Sequence, residues 1–160
     1  MTQSIQIHSY QLGPMNNIGY ILKDTKTNDC AIVDPAWDAN VILNHIDALN
    51  GTVAMILLTH THFDHVNALD ALLDQRPCPI RVSSHASLIK DSPHDFLPIN
   101  DGEELWIGAT KIIALETWGT PHVGYATMLS HTWWLGTPYL LMAVDVRTWT
   151  AVTPMRCLIR

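Results

Sequence analysis

At 160 residues, 48% hydrophobic and 15% charged, the chain is expected to be one globular domain, large enough for a real core and too apolar to be disordered. A formal charge of −6 argues against nucleic acid or an anionic membrane surface as partner, and no apolar run approaches a membrane span. The segment MTQSIQIHSYQL shows no basic region followed by an apolar stretch, and the scattered Cys30, Cys78 and Cys157 do not suggest a disulfide framework. A cytoplasmic protein is therefore the default expectation.

Residues 4–10 alternate as a half-buried strand does, and Gly13-Pro14 with Asn16-Asn17 marks a turn into a second strand, Ile18 to Lys23. A polar hairpin loop leads to a short apolar strand, Cys30 to Val33, which ends at Asp34-Pro35; this spacing predicts an antiparallel start. Asp38 can cap a helix over Ala39 to Leu49 that stops at Asn50-Gly51. Val53 to Leu58 reads as a buried strand, followed by a helix from about Val66 to Leu73 that Asp64 could cap. Pro77 and Pro79 precede a strand, Ile80 to Ser83; His85 to Lys90 is a helical candidate and Asp91 to Pro98 a loop. Strands at Glu104 to Ile107 and Thr110 to Leu115 follow, and helices among mostly β segments imply a layered α/β sandwich.

The chemistry is concentrated in Thr59-His60-Thr61-His62-Phe63-Asp64-His65, at the C-terminal end of the strand through Leu58. Open α/β sheets place ligands at that end of their strands. Neutral imidazole is the commonest metal donor, and imidazole with carboxylate suits zinc, iron or manganese. His60 and His62, two apart on extended backbone, point the same way, while Asp64 and His65 sit where the chain turns. The loop could hold two metals, or one metal and its activated water. A polar turn with scattered histidines is the bland alternative; it would strand buried polar groups.

THTHFDH resembles the THxHxDH motif of the metallo-β-lactamase superfamily, and the approach GYILKDTKTNDCAIVDPAWDANVILNHI is similar to the same family. Within it, the glyoxalase II-like (hydroxyacylglutathione hydrolase-like) bacterial hydrolases are the nearest likeness, over residues 5–116. The resemblance implies an αββα sandwich with a metal site at the sheet edges and two zinc ions per chain, iron or manganese being possible. It implies His60 and His62 as ligands of one metal and Asp64 and His65 as ligands of the other. Asp64 would also orient an activated hydroxide that attacks the carbonyl of a small thioester, such as a glutathione conjugate. Asp34 would be a supporting residue close to the site.

Residues 117–160 change character: they hold four of the six tryptophans, eight threonines and only four charged residues (Asp145, Arg147, Arg156, Arg160). The family's Gly-His-Thr-Pro-Gly, Gly-Asp-Thr-Leu-Phe and Gly-Cys-Gly-Arg segments are not cleanly present. They are recoverable, in order, from a shifted reading frame. From Leu135 to Ala151 permitted codons spell Gly-Asp-Thr-Leu-Phe-x-Asn-Gly-Cys-Gly-Arg-Thr-Asp-Leu-Asp-Gly-Gly, and from Trp118 the same frame allows Gly-His-Thr-Pro. The expectation is a single domain with a family-like part, 1–116, and a tail, 117–160, translated out of frame.

Within the chain as written, His122, after Gly119-Thr120-Pro121, is the best substitute for the missing histidine ligand, against an ordinary loop histidine. Asp145, after the apolar run Leu140 to Val144, stands where a bridging aspartate would, although a solvated loop acid is the more natural reading. His45 reads as an exposed helix residue; His85 follows a strand in a region that the resemblance places near the site without ligation, which makes it a structural or surface residue; His8, His94 and His131 show no partner signal. Trp133-Trp134 would be a substrate wall or a product of the shifted frame. Two other functions remain open: a persulfide dioxygenase-like enzyme using one iron, and an inactive remnant.

Overall fold

The computed structural model describes residues 5–84, 86, 92–117, 124–129 and 141–144, as backbone alone from residue 116 onward. Two sheets face each other. The first orders its strands β1 (Ile5–Leu12), β2 (Asn17–Asp24), β3 (Asp29–Val33), β4 (Thr52–Leu58), β5 (Ile80–Ser83) and β6 (Phe96–Ile99) as in the sequence. The second contains β7 (Glu104–Ile107), β8 (Thr110–Thr117), β9 (Gly124–Leu129) and β10 (Leu141–Val144), with β10 paired to both β9 and β8. Helices α1 (Ala39–Ala48), α2 (Phe63–Val66) and α3 (Leu69–Gln75) join strands of the first sheet. The two facing sheets match the expected sandwich, and among the described residues the helices belong to one outer layer only.

Sequence pattern explains the layers. β1, β2 and β3 pair antiparallel as the hairpin spacing predicts, whereas β3, β4, β5 and β6 are parallel. The parallel centre is covered on both faces, so β4 ends in the unbroken apolar run Ile56, Leu57, Leu58, all at 0% exposure. Leu57 joins Leu22, Val33, Ile99, Ile107 and Ile112 between the sheets, while Ile56 and Leu58 pack with Ile42, Ile46 and Leu72 beneath the helices. Truncating a side chain such as Ile112 to Ala should cost about 2–5 kcal/mol. Asp38 caps α1 by accepting from the Asn40 and Val41 amides, and Asn50, at φ 52°, ends it in the left-handed region.

Two expectations need correction. The helix expected from Val66 to Leu73 is two helices, and Asp64 lies inside the first turn of α2 rather than capping it. The break is made at Asn67, whose Oδ1 accepts the Trp37 amide at 2.6 Å, while the Ala68 amide donates to the Pro35 carbonyl. Residues 96–98, read as the end of a loop, belong to β6. Pro98 obscured it, but β6 is an edge strand, where a missing amide costs no ladder bond. The helical candidate at 85–90 lies almost wholly outside the described residues.

Candidate metal centre

β3 and β4 are parallel neighbours, so the residues that leave their C-terminal ends, Asp34 and Thr59, meet. The Asp34 amide donates to the Leu57 carbonyl, and Asp34 adopts φ 51°, a conformation aspartate tolerates better than most residues. The buried Tyr10 hydroxyl donates to the Val33 carbonyl at 3.2 Å, bracing this turn from the helix side. Asp34 Oδ1 accepts the Thr59 amide at 2.8 Å, and Oδ2 accepts the Thr59 hydroxyl at 2.6 Å. The same Oδ2 lies 3.0 Å from His65 Nδ1.

These contacts settle two tautomers. A carboxylate only accepts, so His65 carries its proton on Nδ1 and its lone pair on Nε2. The Thr59 hydroxyl spends its proton on Asp34, so its oxygen, 2.9 Å from His60 Nδ1, accepts from that nitrogen and again puts the lone pair on Nε2. One buried aspartate thus sets both imidazoles, one directly and one through a hydroxyl. Their rings stand close, with centroids 4.0 Å apart, and the His62 ring lies 4.6 Å from His60.

Burial pushes His60 down to about 4, helped by the neighbouring His65, so its ring is neutral at ordinary pH. Burial also opposes charge on His65, but the Asp34 hydrogen bond and the charges of Asp34 and Asp64 outweigh it and leave the pKa raised. Burial works against the Asp64 carboxylate too; the Asn17 amide and His65 more than offset it, so its pKa lies below the usual range. A neutral His60 and an ionised Asp64 are the forms a cation requires, whereas the raised pKa of His65 means that a cation must displace its proton.

Ligand-type atoms of Asp34, His60 and His65 all lie within 4.8 Å of one another. Both Asp34 oxygens are already committed to Thr59 and His65, which fits a carboxylate behind the histidines, as expected of this residue. Asp64 stands beside the cluster, Oδ2 being 3.6 Å from His65 Nε2, and His62 is exposed at its rim. The donor set suits zinc, whose ligands are imidazole and carboxylate. Of the other candidates, His122 and Asp145 lie outside the described residues, as do His85, His131 and Trp133-Trp134. His45 is exposed, and His94 is paired with Asp70 at 2.6 Å, away from the centre. Sequence reasoning missed Asn17 and Trp37, which reach the site across the sheet edge; the register of β2 on β3 was the signal that could have found them.

The metallo-β-lactamase superfamily sequence profile matches residues 14–136. The chain belongs to the metallo-β-lactamase superfamily. It is 26% identical over 121 residues to a probable polyketide biosynthesis zinc-dependent hydrolase, PksB, of Bacillus subtilis strain 168, covering 75% of this chain and 54% of that protein. It is 33% identical over 112 residues to a hydroxyacylglutathione hydrolase of Bradyrhizobium sp. strain BTAi1, covering 69% of this chain and 43% of that one. A metallo-β-lactamase structure from Staphylococcus aureus subsp. aureus COL superposes with a TM-score of 0.65 at 20% identity, over 75% of this chain and 36% of that one; the likeness is one of fold. The chain spans about half the length of these two curated relatives. The superfamily is one of hydrolytic metalloenzymes, and no described helix of this chain is long and apolar enough to cross a membrane.

Proposed function

We propose that the chain is a zinc-dependent thioester hydrolase of the glyoxalase II type, acting on a hydroxyacyl-glutathione or a similar small thioester in the cytoplasm. The observation that carries this is the His60 and His65 pair, both fixed with Nε2 as the donor nitrogen by Asp34 and Thr59 at the ends of parallel strands. His60 and His62 would hold one ion, Asp64 and His65 a second, with His122 and Asp145 as candidates to complete the set. When bound, zinc supplies Lewis acidity for the carbonyl oxygen and lowers the pKa of water to about 7. Asp64, whose pKa lies below the usual carboxylate range, would orient the activated hydroxide. Asp34 keeps both imidazoles in one tautomer throughout. Water and thioester give a carboxylic acid and a thiol. The likeness to a zinc-dependent hydrolase and to a hydroxyacylglutathione hydrolase supports zinc and a glutathione conjugate.

The test is thiol release from S-lactoylglutathione by the purified chain, stripped by chelator and reloaded with zinc. Zinc-restored turnover with two metals per chain supports the proposal. One iron per chain with oxygen uptake on a persulfide would replace it with the dioxygenase reading, and no turnover under any loading would leave an inactive remnant. We also propose that residues 117–160 are translated out of frame from a longer metallohydrolase gene, which would remove the family's remaining ligand segments. Resequencing the coding DNA across codons 110–160 decides this: an uninterrupted read with codons incompatible with those segments overturns it.

A further inference from the structure

We propose that Asn17 is the positioning residue for the Asp64 carboxylate: an amide clamp, aimed by the Trp37 indole, that fixes how Asp64 meets a cation. The proposal rests on the metal-centre reading above. Asn17 opens β2; since Tyr20 pairs with Val33, Asn17 projects past the end of β3 toward the loop that starts at Asp34. Its Nδ2 donates at 2.8 Å to Asp64 Oδ2 and lies 3.1 Å from the Asp64 carbonyl oxygen. One amide nitrogen therefore grips both the side chain and the backbone of the same residue. To rotate, the carboxylate must give up a charge-assisted bond.

The orientation of this amide is fixed by chemistry rather than by choice. Trp37 Nε1, 3.2 Å away, is a donor only, so the Asn17 atom facing it must be the carbonyl oxygen Oδ1. The nitrogen then faces Asp64, which can only accept. It also lies 3.4 Å from His65 Nε2, the nitrogen that Asp34 leaves with the lone pair.

Trp37 is itself held hard. Its backbone sits at φ 69°, and its amide donates to Asn67 Oδ1 at 2.6 Å. Its indole lies so close over Gly13 (φ 74°) that a Cβ there would fall 2.3 Å from the ring. Strain of this kind persists only where surrounding structure imposes it, and it concentrates at functional sites. The chain thus spends a left-handed tryptophan and a left-handed glycine turn on aiming one N–H at one amide. Pre-ordering a carboxylate before the ion arrives removes the entropic cost of ordering it afterwards.

The experiment is zinc affinity of the metal-stripped 160-residue protein, read by competition with a chromophoric chelator, with thermal unfolding of the metal-free form recorded beside it. Asn17→Ala should weaken zinc by about 10- to 100-fold, the usual effect of losing a partner behind a ligand. Trp37→Phe keeps a ring over Gly13 but removes the N–H, and should weaken zinc by about 3- to 10-fold, one neutral hydrogen bond. The double variant should be no weaker than Asn17→Ala alone, because both act through one contact. Additive losses of zinc affinity in the double variant, or a fall in unfolding temperature with zinc affinity unchanged, would mark a merely structural role and overturn the proposal. Affinity of Trp37→Phe within about twofold of wild type also overturns it, and this arm stands even where Asn17→Ala does not fold. No zinc binding by wild type would instead overturn the metal-centre reading, and the proposal with it.

Discussion

The two ends of the first sheet each carry a buried aspartate, and the two are used in opposite ways. Asp24 ends β2 at 0% exposure and accepts the amides of Lys26, Thr27 and Ala109 and the Thr110 hydroxyl, so it stitches a turn of the first sheet to the start of β8 in the second. Asp34 follows β3 at the other end, at 6% exposure, and spends its oxygens on Thr59 and His65. The partners of Asp24 are fixed backbone and one hydroxyl, with no titratable group among them. Those of Asp34 lead to imidazoles. The same buried acid is a fastening where its donors are structural and a tuning device where they are ligands.

The largest effect expected is on the fastening. Asp24→Ala leaves three amides and a hydroxyl without their acceptor and should cost about 3 kcal/mol or more in urea unfolding, with little change in zinc affinity per folded molecule. Burial raises the Asp24 pKa, but its hydrogen bonds to Thr110, Thr27, Lys26 and Ala109 pull it net below the usual carboxylate range. Its contribution is therefore complete above the unfolded pKa of about 4 and is lost as pH falls through the lower folded value. Stability measured against pH should drop in that acid window in wild type and less steeply in Asp24→Asn. Asp34→Asn should do the reverse, lowering zinc affinity about 10- to 100-fold in a direct titration with a smaller loss of stability. If both substitutions moved stability and left zinc alone, the contrast between the two ends would vanish.

A smaller effect falls on the turn between β1 and β2. Gly13→Ala should destabilise by about 1–3 kcal/mol in thermal unfolding, since the methyl meets the Trp37 ring at a left-handed φ. Smallest is Phe63→Ala: the ring is 73% exposed, edge-on to Trp37, so stability should stay within about 0.5 kcal/mol. A fall in thiol release from S-lactoylglutathione in that variant would mark Phe63 as part of the substrate rim.

Much of this was legible in the sequence because the signals were local. Alternation gave β1, the turn at Gly13-Pro14 and Asn16-Asn17 led into β2, the Asp38 cap gave α1, and the run into Leu58 delivered His60 to the right end of the sheet. The remainder is long-range. Nothing near Asn17 announces Asp64, 47 residues away; only the β2–β3 register brings them together. The broken helix at Asn67 was hidden because its cause is the Trp37 amide, 30 residues earlier. Pro98 masked β6 because a proline reads as a breaker until the strand is known to be an edge.

The most direct test of the centre itself is a zinc titration of the metal-stripped chain, wild type against His60→Ala, with circular dichroism to establish that both are folded. Wild type should bind zinc, and His60→Ala should lose more than the roughly 100-fold expected for a supporting residue. Equal affinity in the two proteins, or no binding by folded wild type, would contradict a metal centre built on His60, His65 and the aspartate behind them.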